Sequence, residues 1–451
     1  MRIPYVRGAA ARLRREIAQA PAVLRGFSGA GLRRHAARGT FAEREILAWR
    51  PYGFGSRMGE LLNARRVATA LGARFVFHWP PQPLFDVEGV DAVFDSDFVA
   101  AHHLPTLDIE QFGRLSTTIE PSDLRELATG PKRGARMAER YEIRLPGRVP
   151  ALPSFQDAFA DIRFHADLER IRTAVAGLPP IGLVVHLRRW DLSRPMSRFG
   201  GDVSPKQIPA ALAIRVVEDF QRRRSGEVLI LGNDPHVVGE VASTLGARTA
   251  EDLLPGQPRS SQEEAFRDFC LLARTGSVLG GGSAFSRVAQ LVAGSRVILP
   301  EAAIPTGEAR SLLWAAVIHP DPDRPLEATL ASDHLFQRPD LVLTPAEEIE
   351  LLERTIELDP EDPTRWLGLL VRFARSGDLS GAGRAMTGMA ERFHGRELET
   401  AALAFRGRTP ADRPAHLTDS DWRVLLDVEV LAPSWREALR AVGRGRAAEG
   451  P

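Results

Sequence analysis

Between Gly177 and Pro300, short apolar runs alternate with stretches of helical period, joined by short connections. "IGLVVHL", "GEVLILGND", "GSVLGGG" and "SRVILP" read as strands, and "PKQIPAALAIRVVEDFQRRR", "PHVVGEVASTLG", "EEAFRDFCLLART" and "SAFSRVAQLVAG" as helices. Pro235 suits a first helical turn and Ser283 an N-cap. Apolar runs of this kind are strands buried on both faces, and the intervening helices are what covers them. The segment therefore predicts a doubly wound parallel sheet, which binds its ligand at the carboxyl edges of the strands.

The flanking regions are organised differently. Met1 to Arg50 carries eleven arginines against Glu16, Glu43 and Glu45, with helical spacing on mixed faces. It reads as a basic, partly helical leader, a surface segment in the plain reading and a peripheral contact with anionic lipid in the functional one. From Pro51, "GFGSRMGELLNARRVATALG" predicts a Gly-rich turn and then a helix. Leu61, Leu62, Val67, Ala68 and Leu71 form its apolar face and Gly72 its stop, and the strand "ARFVFHW" follows. After about Arg324 the pattern is helix, turn, helix, turn, helix. Pro360 and Pro363 break the first pair and Gly377-Asp378 the second. Trp366, Leu369, Leu370, Phe373, Gly377 and Ala382 stand near positions that tetratricopeptide repeats use to interlock helix pairs. Little more than one repeat is covered, so a helical appendage is favoured over a peptide-binding array. The expected domains are 1–50, the leader; 51–176, an N-terminal Rossmann-like domain; 177–325, a C-terminal Rossmann-like domain; and 326–451, the helical region.

Composition narrows the class. The 59 basic and 58 acidic residues leave a formal net charge of +1, so no global field points to nucleic acid. Cys270 is the only cysteine, which excludes an intrachain disulfide framework and fits a reducing, cytoplasmic compartment; an uncrosslinked secreted protein stays open. No apolar run approaches the roughly 20 residues of a membrane span, and no signal-peptide core follows Met1. Lys132 and Lys206 are the only lysines, a bias for which a GC-rich coding sequence is the plain cause.

Three stretches carry chemistry. "HLRRWD", His186 to Asp191, ends a predicted buried strand in two arginines, which are costly there unless they meet an anion. Along an extended chain Arg188 and Arg189 point oppositely, so one could face a ligand crevice while the other pairs with Asp191 or another acid; a structural ion-pair cluster at the strand end is the plain alternative. "LGGGSAFS" joins Gly280, Gly281 and Gly282 to a helix start with Ser283 and Ser286, a phosphate-compatible turn and equally an ordinary strand–helix turn. "GFGSR", Gly53 to Arg57, is neither a Walker loop nor a dinucleotide fingerprint, and it would present Arg57 and a helix start to a crevice. None has metal-ligand spacing, and a diphosphate held by arginine and helix N-termini without a metal is their simplest common ligand.

Together these residues resemble the fucosyltransferase superfamily of GT-B fold, which includes α1,6-fucosyltransferases and protein O-fucosyltransferases. "HLRRWD" matches the family's His-x-Arg-Arg-x-Asp motif. "LILGND" is similar to the second motif, "EEAFRDFCLLA" with "GGGSAFS" to the third, and "GFGSR" to the N-terminal loop. Ser56, Trp190 and Asn233 depart from the usual residues. The resemblance implies a pair of Rossmann-like domains, here with a helical C-terminal appendage, and an inverting, metal-independent glycosyltransferase without a cofactor. Its donor would be GDP-fucose or a related nucleotide sugar, and its acceptor a glycan, a lipid-linked oligosaccharide or a protein hydroxyl. Arg188 would be catalytic, stabilising the leaving diphosphate. His186 and Asp268 would hold the nucleoside, and Ser283, Phe285 and Ser286 would line the phosphate and base site. Arg189 and Asp191 would support, and Gly53, Gly55 and Arg57 would complete the donor site. Glu60 and Asp191 are candidate bases. The alternative is a catalytically degenerate transferase fold that acts as a scaffold through its tetratricopeptide-like helices.

Overall fold

The computed structural model describes residues 45–50, 52–83, 86–105, 134–136, 152–189, 206–256, 258, 260–321, 324–338, 340–393 and 424. The leader up to residue 44, Trp190 and Asp191 lie outside them. In chain order the described elements are β1 (Glu45–Trp49), α1 (Phe54–Leu71), β2 (Arg74–His78), α2 (Val90–Val93), α3 (Ser96–His102), β3 (Gly134–Arg136), α4 (Phe155–Ala160), α5 (Ala166–Ala176) and β4 (Leu183–Leu187). Then follow α6 (Ala210–Arg223), β5 (Val228–Gly232), α7 (Pro235–Leu245), β6 (Arg248–Thr249), α8 (Ala250–Leu253), α9 (Ser261–Leu272), β7 (Ser277–Gly280), α10 (Ala284–Ala293) and β8 (Arg296–Ile298). From there on every described element is helical: α11 (Pro300–Ala303), α12 (Thr306–Ile318), α13 (Pro325–Gln337), α14 (Pro345–Leu358), α15 (Pro363–Ser376) and α16 (Leu379–Arg392).

The fold class is α/β with parallel sheets. A three-stranded sheet has the order β2-β1-β3, with β1 parallel to both neighbours, and a five-stranded sheet has the order β6-β5-β4-β7-β8. In the second, β5 and β6 are parallel, and β4 stands between β5 and β7, where chain order reverses direction across the sheet. Expected and observed elements differ instructively at β1. Glu45–Trp49 reads as the end of the leader, yet it is the middle strand of the first sheet, and Ile46 and Leu47 are wholly buried. Five residues next to an arginine-rich stretch give too short a period to stand out. The helix expected from Pro205 begins at Ala210, with Pro209 as its N-cap. No described helix is long and apolar enough to cross a membrane.

Two compact units emerge, each discontinuous in sequence. The first comprises Met1–Val184, Ala250–Val278 and Ala284–Val297. Its core is aromatic: Phe77 and Trp79 meet Phe94 at 4.9 and 5.0 Å between ring centroids, Phe164 meets Phe266 at 4.6 Å, and Phe54 lies edge-on to Phe269 at 5.9 Å. Such pairs add about 0.5–1.5 kcal/mol beyond the area they bury. α10 packs on α1 and α4, and α9 on α5.

The second unit comprises Val185–Thr249, Leu279–Ser283 and Ile298–Pro451. α12 packs on α6 and α13, and α14, α15 and α16 stack in succession. Sequence punctuation sets these three helices. Thr344 and Glu347 form a capping box, Asp362 and Asp378 are N-caps, and Gly377 ends α15 at φ 76°, a left-handed conformation that suits glycine. Leu352, Leu367, Leu370, Phe373, Ala382 and Met389 form their shared buried core.

Gly232, at the end of β5, shows how tightly the second unit closes. A Cβ there would stand 2.1 Å from the Leu187 carbonyl oxygen, a backbone atom that cannot yield without moving β4. Gly232→Ala is expected to destabilise by about 1–3 kcal/mol. A melting temperature equal to that of the parent would refute this packing.

Candidate functional site

In the second unit the site is built on β4. His186 is buried within the strand, and Arg188, half-buried, follows immediately after its end. Arg189 is fully buried, and its guanidinium is committed. Nε meets Glu327 of α13, Nη2 meets the Ile208 carbonyl, and Nη1 meets the Arg188 carbonyl at 2.9 Å. The acid that Arg189 pairs with is therefore Glu327, distant in sequence. The Arg189 amide donates to Asn233 Oδ1 at 2.7 Å, and its carbonyl accepts from Gln207 Nε2 at 3.2 Å. Glu327 also accepts from the Ala210 amide at 2.8 Å, and His334 Nε2 lies 3.0 Å from the Gln207 carbonyl. Arg189 thus acts through the backbone that carries Arg188. Asn233 fixes that backbone, and Asp234 caps α7 through the His236 and Val237 amides.

The glycine turn after β7 lies in the same unit up to Ser283. A Cβ on Gly281 would stand 2.4 Å from the Lys206 carbonyl carbon, so this glycine admits another stretch of chain. Ser283 is fully buried, its amide donating to the Gly281 carbonyl at 2.8 Å.

The first unit holds the remaining expected residues. Gly53 is the N-cap residue of α1 without a side-chain cap. A Cβ on Gly55 would lie 2.3 Å from Phe285 Cα, so Gly55 lets the backbones of α1 and α10 meet. Arg57, expected to face a crevice, turns inward. It is buried, donates to the carbonyls of Tyr52 at 2.7 Å and Pro80 at 2.6 Å, and lies 5.1 Å from the Trp79 ring. Burial lowers its pKa to about 10. Phe285 packs on Phe54 and Phe269, and Ser286 is buried in α10. Glu60 is buried and accepts the Trp49 amide at 2.9 Å.

Asp268, buried on α9, accepts from Arg267 Nε at 3.1 Å and Nη2 at 3.0 Å. Desolvation raises its pKa to about 6, against the opposing charge and hydrogen bonds of Arg267. Among the described residues, no group of three or more His, Cys, Asp and Glu side chains could hold a metal ion.

One residue at the carboxyl edge of the first sheet carries no motif in the sequence. His78 ends β2 and, with Trp49, Arg50, Arg57 and Trp79, lines a small pocket. Its Nδ1 lies 2.7 Å from the Leu104 carbonyl, so in the neutral ring Nδ1 carries the proton and Nε2 is the basic nitrogen. Burial lowers its pKa, the charge of Arg57 lowers it further, and the bond to Leu104 opposes both.

Two outcomes check this geometry. Glu327→Ala, which strands a buried guanidinium, is expected to destabilise by about 3–5 kcal/mol. Adding Arg189→Met should recover part of the loss, and a purely additive double-mutant cycle would refute the pairing. The folded state binds the Asp268 proton more tightly than the unfolded chain, so the stability this gives is present below about pH 4 and lost as pH rises to about 6. The melting-temperature advantage of the parent over Asp268→Asn should therefore shrink between those values; an advantage that stays flat or grows would refute the assignment.

No protein-family model matches the chain, and no curated protein matches its sequence. Among solved structures it is similar to the NodZ α1,6-fucosyltransferase soaked with GDP-fucose, at 17% identity and a TM-score of 0.35, over 55% of this chain and 92% of that one. It is similar to fucosyltransferase NodZ from Bradyrhizobium at 18% identity and a TM-score of 0.35, over 55% and 93%. It is also similar to POFUT1 in complex with GDP, at 12% identity and a TM-score of 0.34, over 57% and 99%. At these values the likeness assigns no activity to this chain.

Proposed function

We propose that the protein is a metal-independent, inverting glycosyltransferase that transfers fucose from GDP-fucose to a hydroxyl group of a glycan, a lipid-linked oligosaccharide or a protein, within a GT-B arrangement. The observation that carries the reading is His186–Leu187–Arg188–Arg189 at the carboxyl end of β4, the strand at which chain order reverses in the five-stranded sheet. Open parallel sheets bind their ligands at that point. A strand end carrying two arginines, one consumed by Glu327 and the other leaving the sheet edge, suits a diphosphate.

In this reading Arg188 stabilises the negative charge that develops on the leaving diphosphate, with no metal required. Arg189 and Asn233 hold the backbone on which Arg188 rides. His186 holds the nucleoside. The alternative, a scaffold acting through the C-terminal helices, would have to use surface outside the core that α14, α15 and α16 share.

GDP, UDP, GDP-fucose, GDP-mannose and UDP-sugars should be compared by thermal shift, with and without EDTA. A ligand at about a hundred times its dissociation constant adds roughly 2.7 kcal/mol. The expected result is a GDP-selective shift that survives EDTA. Arg188→Ala should lose on the order of a hundredfold or more in turnover while its own melting temperature holds. Full activity in Arg188→Ala, or no shift with any nucleotide, would overturn the reading.

A further inference from the structure

The first unit carries a second concavity, away from the carboxyl edge of its sheet. It is a groove of about 490 Å³, lined by Arg65, Asp97, Phe98, Ala101, His102, Ala160, Asp161 and Arg163. It lies beside β2, the edge strand, at the amino half of that strand: the Arg65 guanidinium lies 5.8 Å from the Phe75 ring, and His102 Nδ1 lies 3.1 Å from the Phe75 carbonyl. Arg65 follows Arg57 by eight positions on α1, about 12 Å along the helix axis. The groove is therefore separate from the pocket of His78 and Trp79.

Its chemistry is balanced. Two guanidiniums, Arg65 and Arg163, and two carboxylates, Asp97 and Asp161, line it, and Arg65 Nη2 lies 3.4 Å from Asp161 Oδ2. Burial holds His102 below the usual imidazole value, the bond to Phe75 opposes this, and Arg65 and Arg74 lower it further, which favours the neutral ring. With Nδ1 donating to Phe75, its Nε2 is an acceptor. A net-neutral lining gives a phosphate or an acidic peptide no excess of positive charge. The apolar part, Ala101, Ala160 and the buried Phe98, offers no deep slot for a hydrophobic anchor. What remains is a volume in the range of small-ligand sites whose lining carries both donors, on Arg65 and Arg163, and acceptors, on Asp97, Asp161 and His102. Vicinal hydroxyls, each donating and accepting, match a lining of both kinds.

We propose that this groove is a carbohydrate-binding subsite for neutral sugar units, holding a non-reacting part of the acceptor. The acceptor role rests on the transferase reading; the sugar-binding role does not.

The test is binding of the full-length protein to immobilised glycans, divided into neutral, sialylated and sulfated sets, with inorganic phosphate as competitor. Asp97 and Arg163 are exposed, so Asp97→Ala and Arg163→Ala together should leave the fold intact, as read by melting temperature. Neutral glycans should bind, phosphate should not compete, and the double variant should bind about tenfold more weakly or worse with its GDP-induced thermal shift unchanged. Binding confined to sialylated or sulfated glycans, binding undiminished in the variant, or no glycan binding would each overturn the subsite. Glycan binding lost in the variant without any GDP shift would support the subsite and overturn the donor reading.

Discussion

The Arg189–Glu327 pair is the interaction on which the second unit depends. A fully buried guanidinium is tolerable only when its donors are met, and Arg189 meets Glu327 and two backbone carbonyls. The partners come from three places: the end of β4, the entry to α6 at Ile208 and Ala210, and α13. Removing either charge would release all three at once. The pair therefore does more than stabilise. It fixes the direction in which the chain leaves β4, and so the backbone of Arg188.

That arrangement divides the labour between adjacent residues. Arg189 is invested in the fold, so the next residue back along the chain can be a half-buried cation held on a rigid support. A charge meant to act on a ligand gains from such fixing, because little reorganisation is then needed when charge develops opposite it. Asn233 contributes from the neighbouring strand by holding the Arg189 amide. The "GND" end of β5 thus explains itself locally: glycine for close approach to β4, asparagine for the β4 backbone, aspartate for the α7 cap.

Much of this was legible in the sequence, and what was not has identifiable causes. The strands β4, β5, β7 and β8 and the helices between them follow from apolar runs and caps because their signals are local. Glu327 carries no such signal; it pairs with Arg189 across 138 positions, and only the fold brings them together. The glycines near Phe54 and Ala284 were ambiguous for another reason. A glycine that admits a ligand and one that admits a backbone have the same sequence signature, and Gly55 and Gly281 admit backbone. His78 was invisible because a histidine at a strand end has no motif; its tautomer is set by Leu104, brought alongside through the pairing of His103 with Phe77.

The arginine bias takes on a sharper meaning in this light. A GC-rich coding sequence would account for arginines on exposed helix faces, where lysine would serve as well. It does not account for Arg57 and Arg189. Each sends two or more donors of one planar group to separate acceptors, Arg57 to the Tyr52 and Pro80 carbonyls and Arg189 to a carboxylate and two carbonyls. An ammonium group could reach some of these acceptors but lacks the fork that spans them, and burying it would leave more of its hydration unreplaced. Arg365, in the helical region, is a different case: it is buried beside Asp333 and Asp362, and its hydrogen bond goes to Asp333. At Arg57 and Arg189 the guanidinium ties together acceptors from separate stretches of the chain. The chain's charge chemistry is therefore partly structural by necessity, and an arginine at a strand end reads as ligand-binding only once its neighbour has been shown to carry the structural load.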